Sequence, residues 1–517
     1  MDFPREQRFV LAVDLGTGGP KVGLVSLVGR IAWEEHAAVA TRHLPGGGAV
    51  QDAEEWWRLI SDAARRALAS GVVPADAVVA VSCTSQWAST VPVDGEGRPV
   101  GDCVMWQDTR GGRHTRRAIG GPIAGYAPLP LLKWVRRTGG APSPTGNDPV
   151  SHMLHLAIDE PEVARAARWY LEPADYLTMR FTGIAAATHA SMIACWLTDN
   201  RRLDVLAYDP DLVRMAGVDA SKLPPLRPTG SVVGTVRADV AAALGLPPGL
   251  PVVAGTPDLH SAAAGSGAVR DFETHLAVST TAWIGLPVPF KKSDLLRSIV
   301  SVPGLRPDRY LVANNHDTGG MCLRWLRENI LGHAHGYAEL TALAAGAAAG
   351  SGRVLFTPWL AGERSPVSDR RARAGFHNLS LATTRADLVR AVLEGVAYNN
   401  RWLHEAVERF AGRRLEPIRI IGGGALSDLW CQIHADVMGR AIERPAEPLH
   451  ANLRGAALIA ALALGAVRED EVRELVPAEA TFTPDPGNRA VYERLYAEFP
   501  GLYRRQRKMF QRLNGRP

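Results

Sequence analysis

Short apolar runs closed by glycine-rich or charged turns alternate along this chain with longer stretches of helical period. The runs Phe9–Val13, Lys21–Val28, Ile31–Ala40, Val78–Cys83, Val252–Gly255, His275–Leu286, Tyr310–Ala313, Val354–Pro358 and Ile418–Ile421 predict strands. Segments Ala53–Ala69, Glu162–Trp169, Arg237–Leu244, Leu259–Ser266, Met321–Ile330, Arg385–Phe410, Leu426–Met438 and Ala451–Leu464 predict helices. Val389, Val392, Leu393, Val396 and Ala397 fall at i, i+3, i+4, i+7 and i+8, the spacing of one buried helix face. The Pro- and Gly-rich stretch Gly125–Pro149 predicts an irregular surface excursion. Strands alternating with helices give an α/β class. A linker is expected at Gly265–Glu273, dividing the chain into residues 1–267 and 268–517.

Length supports that division, because 517 residues exceed what one hydrophobic core organises. The hydrophobic share is 46% and the charged share 21%, ordinary values for a globular protein. Net charge is +5, but the arginines are scattered among acids. The basic tail Tyr503–Pro517 has no accompanying nucleic-acid motif, so no nucleic-acid partner is expected. Five widely spaced cysteines without a C-x-x-C pair argue against disulfides and zinc and fit the cytoplasm. The longest apolar run, Gly455–Val467, is too short for a membrane span and reads as a buried helix. No membrane partner is expected. The pairs His152/His155 and His333/His335 lack a recognisable carboxylate or cysteine pattern, so metal is not expected there.

The candidate chemistry begins at "VLAVDLGTGGPKVGLVS", Val10–Ser26. An acid, a hydroxyl and a cation surround a glycine turn between two apolar strands. A plain hairpin needs none of them. "THLAVSTTAWIGLPV", Thr274–Val288, opens the second half in the same way, with Ser279, Thr280 and Thr281 in its turn. Two such loops facing each other across a cleft would offer many short donors to a polyphosphate. Thr17 and the amides of Gly16, Gly18 and Gly19 can cradle phosphate oxygens, and Lys21 can neutralise them. Asp14 can hold Mg²⁺ through water. The alternative is a tight hairpin with a solvated lysine. "GGGALS", Gly422–Ser427, follows a strand and precedes a helix; Gly423, Gly424 and Ser427 there suit a nucleotide, or simply a packing turn.

These segments resemble the FGGY family of carbohydrate kinases over nearly the full chain. "DLGTGGPK" is similar to the family's first phosphate motif and "WQDTR" to its sugar-binding segment. "GTPDLHSAAAGSGAV" is similar to the segment of its catalytic Asp and "STTAWIG" to its second phosphate motif. Phe356–Tyr398 resembles its C-terminal signature, and "GGGALSDLWCQIHADVMG" with "ANLRGAALIAALALG" resembles its adenosine-site segments. The resemblance implies two ribonuclease H-like domains of the actin-like ATPase type with a cleft between them, and ATP and Mg²⁺ as cofactors. It also implies phosphoryl transfer from ATP to a sugar or polyol, with a xylulokinase-like ketopentose first. Asp258 is then the base, alternatively a helix N-cap. Trp106, Asp108 and Arg110 contact the sugar, Asp108 and Arg110 alternatively forming a surface ion pair.

The chain departs from the family at three places. Asn378 stands where Gly is usual. Lys133 and Trp134 only partly match a second signature, with Arg136 in place of an aromatic. Gln86, Trp87, Ala88 and Ser89 replace both the Gln-Met-His-Gly run of xylulokinase-like members and the Gln-Arg-Glu run of glycerol kinase-like ones. Trp87 then either stacks on the sugar or packs in the core. An actin- or chaperone-like ATPase and a non-catalytic sugar-binding relative are the other readings; "WQDTR" argues against the first, and Asp14, Thr17, Lys21 and Asp258 against the second. A homodimer remains open.

Overall fold

The computed structural model describes residues 3–122, 125–333 and 335–515. Its first half is built on a mixed sheet of six strands. In chain order these are β1 Phe9–Gly16, β2 Gly19–Ser26, β3 Ile31–His36, β4 Val78–Ser85, β5 Val232–Thr235 and β6 Pro251–Pro257. Their spatial order is β5-β6-β4-β1-β2-β3. Strands β1, β4 and β6 run parallel, while the β1–β2–β3 meander is antiparallel.

Both faces of this sheet are covered, which is why β1 reads as an almost unbroken apolar run. Leu11, Val13 and Leu15 face helix α1, Ala53–Ala69, through Trp56, Ile60 and Ala63. Val10 and Ala12 point the other way. Asp14 shares that second face and is the one polar residue inside the run.

Between β4 and β5 the chain makes an excursion carrying α2 Gly112–Ile119, α3 Pro128–Thr138, α4 Pro149–Asp159 and α5 Pro173–Thr182. Helix α3 corrects the expectation of an irregular Gly125–Pro149 segment. Its proline sits at the first turn, where a missing N–H costs nothing, and Gly139 closes it at φ 102°. Trp134 buries completely and anchors it.

The second half repeats the scheme. After α6, Asp258–Ser266, come β7 Thr274–Val278 and β8 Ala282–Gly285, so the run His275–Leu286 is a hairpin rather than one strand. Helix α7 Arg385–Ala411, β9 Ile418–Ile421, α8 Asp428–Met438, β10 Ile442–Pro445, α9 Ala451–Ala463, β11 Ala478–Phe482 and α10 Pro486–Asn514 complete it. The sheet order β8-β7-β9-β10-β11 places parallel strands beside an antiparallel hairpin, as in the first half. The five periodic residues of α7 are all buried, as their spacing predicts. The basic tail forms the end of α10, whose Phe499, Tyr503 and Phe510 surround Trp359; Arg516 and Pro517 lie outside the described residues. Asn378 sits at φ 64°, which explains the departure from glycine. Asparagine is among the few side chains that enter the left-handed region readily, and its amide here donates to Arg353 O (3.0 Å).

Helix α9, the "GAALIAALALGAV" segment, is buried as its composition predicts, but on the first sheet. Leu453, Ala456 and Ala457 pack against Val10, Ala12, Ala80 and Val253. It crosses α6 at near-contact of the two backbones. A Cβ on Gly455 would fall on the Ser261 carbonyl oxygen, and one on Gly265 on that of Ala451. Gly455→Ala should therefore cost roughly 1–3 kcal/mol or more, by overpacking. Urea unfolding checks this; an unchanged midpoint would show that the crossing has room to spare.

Candidate active site

The parallel strands β6, β4 and β1 end at one edge of the first sheet. Asp14 pairs in register with Thr84, and Thr256 with Thr84 from the other side. Asp258 follows directly after β6 and opens α6. Asp14 and Thr256 thus lie two strand spacings apart, about 10 Å between backbones, with Asp258 two residues further on at the same edge. This is the edge where open α/β sheets present ligand-binding groups.

Burial pushes the Asp258 carboxyl up to about 7, and the negative charge of Asp14 adds to the shift. The amide of Leu259 opposes it only partly. Asp258 therefore sits where a carboxylate can gain and lose a proton near neutrality. Its side chain accepts no capping bond from the helix it opens beyond that local amide.

The first glycine loop is a tight turn between Gly16 and Gly19, which pair in register. Gly19 has φ 124°, and a Cβ there would strike Ala37 O. No other residue fits. Lys21 pairs with Asp14 across the hairpin, Nζ to Oδ2 3.5 Å.

The Thr17 hydroxyl points towards the sugar-site residues. It donates to Gln86 Oε1 (2.7 Å) and accepts from the Trp106 indole N–H (3.1 Å). Gln51 Nε2 donates to Thr17 O (2.8 Å) and holds the loop from behind. Thr17, Gln86 and Trp106 are therefore one cluster, joining the first glycine loop to the segments expected to contact the sugar.

Asp108 departs from its expected contact with sugar hydroxyls. It is fully buried, and its oxygens accept from Ala49 N (2.9 Å), Arg110 N (2.9 Å) and the Arg110 guanidinium (2.9 Å). With those sites filled, it positions Arg110 and the short strand Gly48–Gln51. It is not a surface pair either, since Asp108 has no exposure.

Trp87 is half-buried against a cluster that joins Ile193, Leu259 and Ala263 of the first half to Val302 and Leu311 of the second. The following residue, Ala88, has φ 63°. That turn is held by Glu172, at the entrance to α5, whose carboxylate accepts from Ser89 N (3.2 Å) and from the Ala88 amide. Burial, with Asp175 nearby, raises the Glu172 carboxyl well above the usual range. Ser89 Oγ in turn accepts from Trp106 N (3.0 Å). Glu172 and Gln51 are site residues that sequence reasoning missed. Each acts through a partner distant in the chain, and nothing local marks it.

The second loop, Ser279–Thr281, is backed by residues 317–320. Gly319 N donates to Thr280 O (2.9 Å) and Gly320 N to Ser279 O (2.6 Å). No side-chain hydroxyl of Ser279, Thr280 or Thr281 has a protein partner among the described residues, so all three are available to a ligand. The Asp317–Gly320 loop was also not anticipated; its "DTGG" composition was the available signal.

The "GGGALS" turn lies against this loop. Gly422 has φ 88°, and a Cβ on it would come within 2.6 Å of Ser279 Oγ. Gly423 is exposed beside it, Gly424 packs on Val278, and Ser427 Oγ accepts from Trp430 N (3.2 Å) as the cap of α8. The candidate residues thus gather in two groups: Asp14, Gly16, Thr17, Gly18, Lys21, Gln86, Trp106, Arg110 and Asp258 on the first half, and Ser279, Thr280, Thr281, Gly423, Gly424 and Ser427 on the second. Trp87 packs against the cluster that joins the two halves.

Known proteins resemble this chain over nearly its full length. A xylulose kinase of Staphylococcus epidermidis is 27% identical over 513 residues, 97% of each chain. A glycerol kinase of Chloroflexus aggregans is 28% identical, over 95% of this chain and 97% of its own. The crystal structure of a xylulose kinase from Rhodospirillum rubrum superposes with a TM-score of 0.82 at 28% identity, covering 97% of this chain and all of the other. No helix of the described residues is long and apolar enough to cross a membrane. The model of the FGGY family of carbohydrate kinases, N-terminal domain, matches residues 9–265, and that of its C-terminal domain matches 275–464. The chain belongs to the FGGY family of carbohydrate kinases, with their two-domain, actin-like ATPase architecture.

Proposed function

We propose that this carbohydrate kinase transfers the γ-phosphoryl group of ATP to a hydroxyl of a ketopentose, with D-xylulose the first candidate. Asp258 acts as the general base. The observation that carries the reading is Asp258 itself, a carboxylate raised to about 7 at the carboxyl edge of three parallel strands. Ketopentose is favoured because relatives named xylulose kinase recur in both sequence and structure.

In this reading residues 1–267 supply the sugar site, the first phosphate loop and the base; residues 268–517 supply the second loop and the adenosine site. Asp258 takes the proton as the sugar oxygen attacks the γ-phosphorus. The oxygen–phosphorus bond forms while the bond to the bridging oxygen of ADP breaks. Lys21 and the loop amides offset the charge on the transferring group, which is most of the catalytic work in phosphoryl transfer. Arg110, Gln86 and Trp106 orient the sugar. Asp14 fits Mg²⁺: it is a hard oxygen ligand, and one of its oxygens accepts nothing from the described residues. When bound, the ion would neutralise phosphate charge.

A panel of ketoses and polyols, glycerol and gluconate included, tests the substrate through kcat/KM. D-xylulose should lead it; glycerol in first place would overturn the ketopentose reading. Trp87→Ala should raise the KM for the sugar about tenfold, the value of one aromatic contact, with kcat little changed. If Trp87 is only packing, the variant should unfold more easily with the sugar KM unmoved.

A further inference from the structure

We propose that His114, His155 and Asp159 form a binding site for a divalent transition-metal ion of the zinc or cobalt kind, separate from the catalytic cleft. His155 and Asp159 lie one turn apart on α4, and His114 comes from α2. His114 Nε2 and His155 Nδ1 each approach Asp159 Oδ2 at 2.7 Å, and the three ligand atoms lie within 4.8 Å of one another. Around an ion with bonds of about 2.0–2.1 Å, tetrahedral ligand atoms stand about 3.3 Å apart. The two histidine–aspartate separations need to open by only about half an ångström.

The surroundings supply a support for an ion. The other nitrogen of His155, Nε2, faces Glu160 Oε1 at 3.1 Å. An ion replacing the Nδ1 proton leaves a neutral imidazole whose Nε2–H still donates to Glu160. That carboxylate–histidine–metal relay is the usual support of a metal-binding histidine. Arg113 donates to Asp159 Oδ1 (2.6 Å), the oxygen the ion does not need, though its Nε also lies 3.2 Å from His114 Nε2 and must turn aside. Two imidazoles select against Mg²⁺, so the ion would not compete with the catalytic one. Glu160 also accepts from Arg110 (3.2 Å), so the support of a bound ion would reach a residue proposed to orient the sugar. The sequence pattern sets metal aside at His155 because His114, on another helix, is invisible locally, although Asp159 stands at i+4.

The test uses untagged full-length protein, stripped with a chelator and held in Mg²⁺ buffer. Titration with Co²⁺ should give ligand-field absorption saturating at a single equivalent per chain and displaced by Zn²⁺. His114→Gln and Asp159→Asn should each abolish that species. Glu160→Gln should weaken it about 10–100-fold. Zn²⁺ should raise the melting temperature of the wild type and of neither ligand variant. Circular dichroism verifies folding; should Asp159→Asn not fold, His114→Gln decides alone. Absence of a stoichiometric Co²⁺ species in folded wild type, or a species unchanged in His114→Gln, would mean stray surface histidines only and overturn the site.

Discussion

Asp258→Asn should lower kcat by about two to four orders of magnitude, the range expected for losing a positioned base. The substitution keeps size and hydrogen-bonding shape and removes only proton acceptance. Sugar and ATP affinities should change little, because the base acts in the transition state. The N-cap of α6 is Pro257, so the capping alternative for Asp258 does not hold; Asp258 is the first helical residue, where asparagine is tolerated, and a residue that merely opens α6 would survive the change. The wild-type pH profile follows from the same residue. With its carboxyl raised to about 7, kcat/KM should climb as pH rises through that value and then level off. Stability should move the opposite way. An unfolded Asp titrates near 3.9, so between about pH 4 and 7 the folded chain binds a proton that the unfolded chain does not. The stabilisation present at low pH is lost as pH rises through about 7. Asp258→Asn, which cannot ionise, should therefore melt higher than the wild type at pH 8, and the gap should close towards pH 5. A variant that is active, or no more stable at pH 8, would contradict the assignment.

Asp14→Asn should be nearly as damaging, by about two to three orders of magnitude in kcat/KM. That is the scale of several kcal/mol of charge stabilisation lost at the phosphoryl group. The KM for Mg·ATP should rise with it. A second effect distinguishes this variant from general damage. The Asp14 charge is the second cause, after burial, of the raised Asp258 carboxyl. Without it, the acidic limb of the kcat/KM profile should move to lower pH while staying above the ordinary carboxylate range. A reduced rate with an unmoved limb would mean the two acids do not share a site.

Much of this arrangement was legible in the chain. The Asp–Leu–Gly–Thr–Gly–Gly–Pro–Lys run forms the hairpin whose Asp14 and Lys21 pair, because Gly19 occupies a backbone position closed to any side chain. The α7 face was readable from period alone, since every residue on it meets the second core. What escaped was long-range. Gln51 and Glu172 matter through Thr17 and Ser89, residues tens of positions away, and no local pattern records such a contact. Asp108 illustrates the opposite error. Its motif suggested a ligand contact, but complete burial and saturation by Ala49 and Arg110 give it a positioning role. Helix α3 was hidden by prolines that stand at its first turn, where they favour a helix.

The central claim, sugar-dependent phosphoryl transfer in the interdomain cleft, is tested most directly by ³¹P NMR of the wild-type protein with ATP, Mg²⁺ and D-xylulose. The account predicts that the γ-phosphate signal is replaced by that of a sugar phosphate monoester, in equal measure with ADP, and that omitting the sugar stops the reaction. Release of inorganic phosphate alone, at a rate indifferent to sugar across the panel, would contradict it.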